Sequence, residues 1–150
     1  MIVKSLDHLN KITKKISNHL SEKDCIFLIG EIGVGKTTFT RHLINHLQEE
    51  KDLKPTEVLS PTFNLLYEYN IKNFKIMHYD LYRIKETKEL DHLGIFSDEK
   101  DTIKIIEWPD LIKTPLEDKL EIYLDYRKSE NEREMKIVGF GKWKNFKNEF

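Results

Sequence analysis

The sequence predicts an α/β fold, a mixed sheet flanked by helices and carrying antiparallel hairpins, on three observations. First, the apolar run Ile26-Phe27-Leu28-Ile29 leads into the glycine-bearing segment Gly30-Glu31-Ile32-Gly33-Val34-Gly35-Lys36-Thr37-Thr38, and residues from Phe39 to Leu47 have helical apolar spacing. A buried strand, a turn that needs glycine and a helix therefore follow in direct succession. Second, two pairs of segments alternate apolar and polar residues, each pair joined by a short polar turn, as hairpins do. Third, several strands follow the first strand–loop–helix unit, which points to a mixed sheet and away from a long repeated βαβ array.

With 150 residues the chain can bury one continuous core, and no internal repeat or low-complexity linker divides it. A single domain over residues 1–150 is expected, with 141–150 as a flexible tail. Hydrophobic residues make up 39% and charged residues 34%, the composition of a globular chain with a heavily charged surface. No alanine occurs, so the helices depend on Leu, Lys and Glu for propensity and on packing for most of their stability. A formal net charge of -1 excludes a whole-surface electrostatic grip on nucleic acid. Cys25 is the single cysteine, which rules out an intramolecular disulfide and fits a reducing compartment. Its ordinary role is a small apolar residue opening a strand. Lys4, Asp7 and His8 interrupt the stretch where a signal peptide would be apolar, and no run approaches membrane-spanning length. A cytoplasmic protein without a membrane partner is expected.

Leu6, Leu9, Ile12, Ile16 and Leu20 recur at three- and four-residue steps behind the N-cap candidate Ser5, an amphipathic helix. Asp24 to Ile29 is near-continuously apolar, as a parallel strand covered on both faces is. Phe39, Leu43, Ile44 and Leu47 supply one face of the next helix, and Gln48 to Lys54 reads as a polar linker. Glu57 to Ser60 is expected as a short strand stopped by Pro61. Phe63, Leu65, Tyr67 and Tyr69 then alternate with Asn64, Leu66 and Glu68, and after a turn at Asn70–Asn73 the pattern resumes from Phe74 to Tyr79, giving a first hairpin. Leu81 to Leu93 is expected as a helix with Lys85, Glu86, Lys88 and Glu89 on its polar face, closed by Gly94. Thr102 to Glu107 is a β-branched strand ended by Trp108-Pro109. Leu120, Ile122, Leu124 and Tyr126 alternate, the charged turn Arg127 to Glu132 follows, and Arg133 to Phe140 completes a second hairpin.

The segment Gly30 to Thr38 meets the phosphate-loop spacing G-x-x-x-x-G-K-[ST] at Gly30, Gly35, Lys36 and Thr37. These four positions match by chance in roughly one chain of this length in two hundred, and the strand and helix context lowers that further. Gly30, Gly33 and Gly35 permit positive φ, so that successive N–H groups can line an anion-binding nest. The helix opening at about Lys36 adds its positive dipole end, the lysine reaches the outer phosphates, and Thr37 offers a hydroxyl to Mg²⁺. Mg²⁺ also needs one or two carboxylates, and hydrolysis needs a polar group to orient water. Asp80 and Glu107 stand at the ends of two strands, where the ligand crevice of an open α/β sheet lies. Thr62, just beyond Ser60-Pro61, is a candidate switch hydroxyl. His78 reads as a packed or hydrogen-bonded histidine, since no other His or Cys lies at ligand spacing, and Trp108 as either core or contact residue. The guanine-reading Asn-Lys-x-Asp signature is absent, which favours ATP over GTP.

These residues together resemble the TsaE family of small P-loop ATPases in the bacterial machinery that makes threonylcarbamoyladenosine in tRNA. The resemblance runs through the phosphate loop, Ser60-Pro61-Thr62-Phe63, His78-Tyr79-Asp80-Leu81-Tyr82-Arg83, Glu89-Leu90, Leu93-Gly94 and Ile106-Glu107-Trp108-Pro109, over residues 25 to 140. It implies a P-loop NTPase-like domain that binds ATP and Mg²⁺, hydrolyses slowly alone, and resets the TsaB and TsaD partner proteins between cycles, touching tRNA indirectly. It implies nucleotide-binding roles for Glu31, Ile32, Gly33, Val34, Gly35, Lys36, Thr37, Thr38 and Arg133, metal ligation by Thr37 and Glu107, and catalytic roles for Asp80, Glu107 and Thr62. Trp108 falls on a motif position that shapes the site. Two positions depart from the family pattern: Val34 stands where a small residue is usual, and His8 where a hydroxyl is frequent.

Two other classes share a phosphate loop. A small-molecule kinase needs an acceptor pocket and usually an Arg-rich lid, and no arginine lies between Arg83 and Arg127. A module using nucleotide only for structure would bind ATP without turnover. The interleaved tail Lys142-Trp143-Lys144-Asn145-Phe146-Lys147 has the pattern of a nucleic-acid contact, but a solvated tail is the simpler expectation.

Overall fold

The strand that precedes the phosphate loop sits at the middle of the sheet, because its residues are apolar on both faces. A computed structural model describes residues 1–146. Among them the strands are β1 (Ile2–Val3), β2 (Cys25–Ile29), β3 (Leu66–Ile71), β4 (Phe74–Asp80), β5 (Thr102–Glu107), β6 (Lys119–Tyr126) and β7 (Arg133–Gly139). They form one sheet in the order β1-β7-β6-β2-β5-β4-β3. β2 runs parallel to β5 and β6, and β4 runs parallel to β5. The two expected hairpins, β3–β4 and β6–β7, extend this parallel centre on either side, and β1 adds an antiparallel edge to β7.

Alternation along each strand sorts side chains to two cores. On one face Ile26, Leu28, Ile76, Ile103 and Ile105 pack with Leu9, Ile12 and Ile16 of α1 (Leu6–Ser17) and Phe39, Leu43 and Ile44 of α2 (Lys36–Glu49). On the other, Cys25, Phe27, Met77, Tyr79 and Ile106 pack beneath Leu81, Leu90 and Ile95. Ser5 caps α1 as its sequence implies, its Oγ accepting from His8 N at 3.1 Å. α2 has no side-chain cap: its cap residue is Gly35 at φ 119°, so its first N–H groups stay free for a ligand.

Four segments differ from expectation. Residues 57–60 form no strand, because Val58 is the sole buried side chain among them and no period-two face exists to pair. The strand expected from Phe63 begins at Leu66: Leu65, at φ 66°, closes a turn in which its N–H donates to Pro61 O at 2.6 Å. The helix expected over 81–93 shrinks to a 3₁₀ segment, Thr87–Leu93, closed by Gly94 at φ 69°; Leu90 is its one buried side chain, with Leu93 half-buried against the same core. The tail expected to be loose from residue 141 is packed as far as 146. Trp143 and Phe146 are buried edge-to-face with centroids 4.9 Å apart, and Trp143 Nε1 donates to Asp24 Oδ1 at 3.2 Å. Lys147, part of the basic and aromatic pattern, lies outside the described residues. Among the described residues no helix is long and apolar enough to cross a membrane.

Candidate functional site

Gly30 to Gly35 turns sharply because glycine stands where other residues cannot. A Cβ on Gly30 would run into the Leu124 carbonyl, whereas at Gly35 the space above the backbone is open, as a loop that receives a ligand requires. The β6–β7 hairpin braces the loop from one side. Tyr126 OH donates to Ile32 O at 2.7 Å and Arg133 Nε to Val34 O at 3.0 Å, and the Arg133 guanidinium lies 4.7 Å from the Tyr126 ring centroid.

Lys36 is 5% exposed and its Nζ donates to Gly30 O at 2.7 Å and Glu31 O at 2.8 Å, so the ammonium folds back over the nest. It also lies 4.2 Å from the centre of the Trp108 ring, a cation–π contact. Burial pulls its pKa below the usual lysine range, opposed by the negative charges of Glu107 and Asp80. An arriving polyanion would supply the compensation that two carbonyls and an aromatic face now provide.

The parallel register sets Asp80 of β4 opposite Glu107 of β5 at the carboxyl end of the sheet. Glu107, 3% exposed, accepts at Oε1 from Thr37 Oγ1 at 3.1 Å and lies 2.8 Å from His78 Nε2 through the same oxygen. Asp80, 2% exposed, accepts at Oδ2 from Thr62 Oγ1 at 2.7 Å and at Oδ1 from Tyr82 N at 2.9 Å. Ser60 Oγ sits 2.8 Å from Thr62 Oγ1. Trp108, at φ 58°, turns the chain after Glu107, and its ring meets Tyr82 at 4.9 Å. A cleft of about 610 Å³ opens beside the loop, where Gly33, Val34, Gly35, Thr38 and Arg133 face Val3, Ser5 and Asp7 of the N-terminal segment.

The residues singled out in the sequence thus occupy one end of the sheet. Lys36, Thr37, Glu107, Asp80 and Thr62 form a continuous set of contacts and charges, and Thr38 and Arg133 line the neighbouring cleft. Glu31 and Ile32 contribute backbone, with the Ile32 side chain 63% exposed. His8 does not line the cleft; Ser5 and Asp7 do. Sequence reasoning missed Tyr126 and the attachment of His78 to Glu107. Tyr126 ends a strand that neighbours β2, a position its alternation pattern could have flagged. Among the described residues no group of three or more His, Cys, Asp or Glu side chains could hold a metal ion. Thr37 and Glu107, two hard oxygen donors at contact distance beside a phosphate nest, are the set that Mg²⁺ takes when phosphates and water complete its shell.

A phosphate loop between a central parallel strand and a helix, with acidic residues at adjacent strand ends, defines a P-loop NTPase-like protein. The family model described as "Threonylcarbamoyl adenosine biosynthesis protein TsaE" matches residues 3–135, and the chain belongs to the TsaE family. A "tRNA threonylcarbamoyladenosine biosynthesis protein TsaE" from Rickettsia felis is 38% identical over 113 residues, which cover 75% of this chain and 64% of that protein. The protein of the same name from Aquifex aeolicus is 32% identical over 137 residues, 91% of this chain and 93% of the relative. The chain therefore spans somewhat less than two thirds of the Rickettsia protein and nearly all of the Aquifex one. The fold matches "Crystal structure of Bacillus subtilus YdiB" with a TM-score of 0.70 over 99% of this chain and 90% of that one, at 24% identity.

Proposed function

We propose that this chain is a Mg²⁺-dependent ATPase that serves the threonylcarbamoyladenosine modification of tRNA, working in the cytoplasm as a single domain with TsaB and TsaD proteins as partners and acting on tRNA indirectly. The observation that carries the reading is the linked set at one sheet end: Lys36 on the loop, Thr37 on Glu107, and Asp80 in register beside Glu107 and bonded to Thr62. The relatives' names supply the pathway.

The N–H groups of Gly33 and of Gly35 to Thr38 bind the phosphate chain, while Val34 N–H donates to Glu31 O at 3.3 Å within the loop, and Lys36 Nζ exchanges the Gly30 and Glu31 carbonyls for phosphate oxygens. Thr37 and Glu107 would hold Mg²⁺, which when bound neutralises charge on the phosphate oxygens. Asp80 accepts a hydrogen bond from the attacking water and orients it toward the terminal phosphate, giving ADP and phosphate. Thr62, already on Asp80, reports the terminal phosphate to the loop at 60–65. Adenine and ribose take the cleft between Arg133 and the segment Val3 to Leu9. The modification chemistry itself belongs to a partner, and turnover here resets the assembly.

Phosphate release from ATP and from GTP, with and without purified TsaB and TsaD, tests the proposal. Release from ATP that rises with the partners is expected; phosphate appearing on a metabolite instead would make the chain a kinase and overturn it. Lys36→Ala should weaken ATP binding about a hundredfold, read by titration calorimetry, because a charge-assisted contact to phosphate is lost.

A further inference from the structure

His78 is fully buried, a polar side chain in β4 between Met77 and Tyr79. It pairs across the sheet with Ile105, so Glu107, two residues further along β5, is its diagonal neighbour on the same face. Its Nε2 lies 2.8 Å from Glu107 Oε1, and its Nδ1 is buried with no hydrogen-bond partner among the described residues. The proton therefore sits on Nε2: with it on Nδ1 alone, a ring lone pair would face the carboxylate and an unpaired N–H would be buried. Thr37 Oγ1 donates to the same Oε1 at 3.1 Å, while Glu107 Oε2 makes no hydrogen bond among the described residues.

We infer that His78 is a positioning residue that locks the Glu107 carboxylate by one oxygen and presents the other to the divalent cation of the nucleotide site. An apolar side chain would fill this place without leaving an unpaired nitrogen, so packing alone does not account for histidine here. Two donors on Oε1 fix both the position and the plane of the carboxylate, as outer residues behind metal ligands do. This assignment rests on the proposed Mg²⁺ reading.

The test uses Mn²⁺ as the metal probe, its binding to the protein–ADP complex followed by electron paramagnetic resonance, and ADP affinity measured separately in EDTA. His78→Leu is expected to weaken Mn²⁺ binding about tenfold and to leave ADP affinity in EDTA unchanged. His78→Gln, whose amide N–H reaches the place of Nε2, should restore Mn²⁺ binding, and His78→Asn, whose amide stops at the place of Nδ1, should not. Unchanged Mn²⁺ affinity in His78→Leu, an equal loss of ADP affinity in EDTA, or failure of Gln to rescue overturns the assignment. If His78→Leu does not fold, His78→Asn stands in for it; if all three variants fail to fold, histidine is needed for packing and the assignment falls. Wild-type complex that takes up no Mn²⁺ removes the metal reading itself, a failure visible before any variant is made.

Discussion

The ends of β4 and β5 lie side by side, with Asp80 opposite Glu107, yet they hold their carboxylates by different means. Glu107 is gripped from inside the molecule: His78 reaches it from the interior of β4 and Thr37 from the first turn of α2, both at one oxygen. Asp80 is held from outside, by the Tyr82 N–H of its own turn and by the Thr62 hydroxyl from the loop before β3. Exposure does not separate the two, at 2% and 3%. Their partners do. A carboxylate braced by a buried histidine and a helix-borne hydroxyl keeps one geometry, as a metal ligand should. One braced by a surface loop can exchange its partner when the loop moves, which suits a group that orients water and answers to a phosphate.

Glu107→Gln should have the largest effect, lowering phosphate release on the order of a thousandfold and abolishing Mn²⁺ binding, with thermal unfolding showing a retained fold. Wild-type turnover in this variant would remove Glu107 from the mechanism. Asp80→Asn should slow release about a hundredfold while Mn²⁺ affinity of the ADP complex stays at the wild-type value. Loss of metal binding in both variants would erase the distinction between the two strand ends. Thr62→Val should have the smallest effect, about tenfold in kcat with ATP affinity preserved, because it removes one hydrogen bond to Asp80. An unchanged kcat there would disconnect the loop from the chemistry.

The difference between the strand ends was half legible in the sequence. Alternation in Phe74 to Tyr79 and β-branched composition in Thr102 to Ile106 place an acid at the end of each strand, and strand ends are where α/β sheets bind ligands. Which side chain braces which acid depends on strand order and register. His78 and Glu107 are 29 residues apart, Thr37 and Glu107 are 70, and only the β2–β5–β4 adjacency joins them. The same limit applies to Tyr126 and Arg133, whose bonds to the loop span 94 and 99 residues. Elsewhere, short segments misled. Glu57 to Ser60 has β-like composition with one buried side chain, and Leu81 to Leu93 has a polar pattern with too few anchors for an α-helix. At the C-terminus, charge around Trp143 and Phe146 hid two aromatic residues that close the core.

By itself the sequence determined the phosphate loop, the helix it opens, the two hairpins and the two acids, because each is a local pattern of φ freedom, periodicity or position at a strand end. The same residues carry the TsaE resemblance, and family membership agrees with it. Only the tertiary structure decided that Lys36 rests on the carbonyls of its own loop, that one carboxylate is braced by the core and the other by a loop, and that the tail packs beside Asp24. Those outcomes depend on hydrogen-bonded register and burial between segments far apart in the chain, which no local pattern encodes.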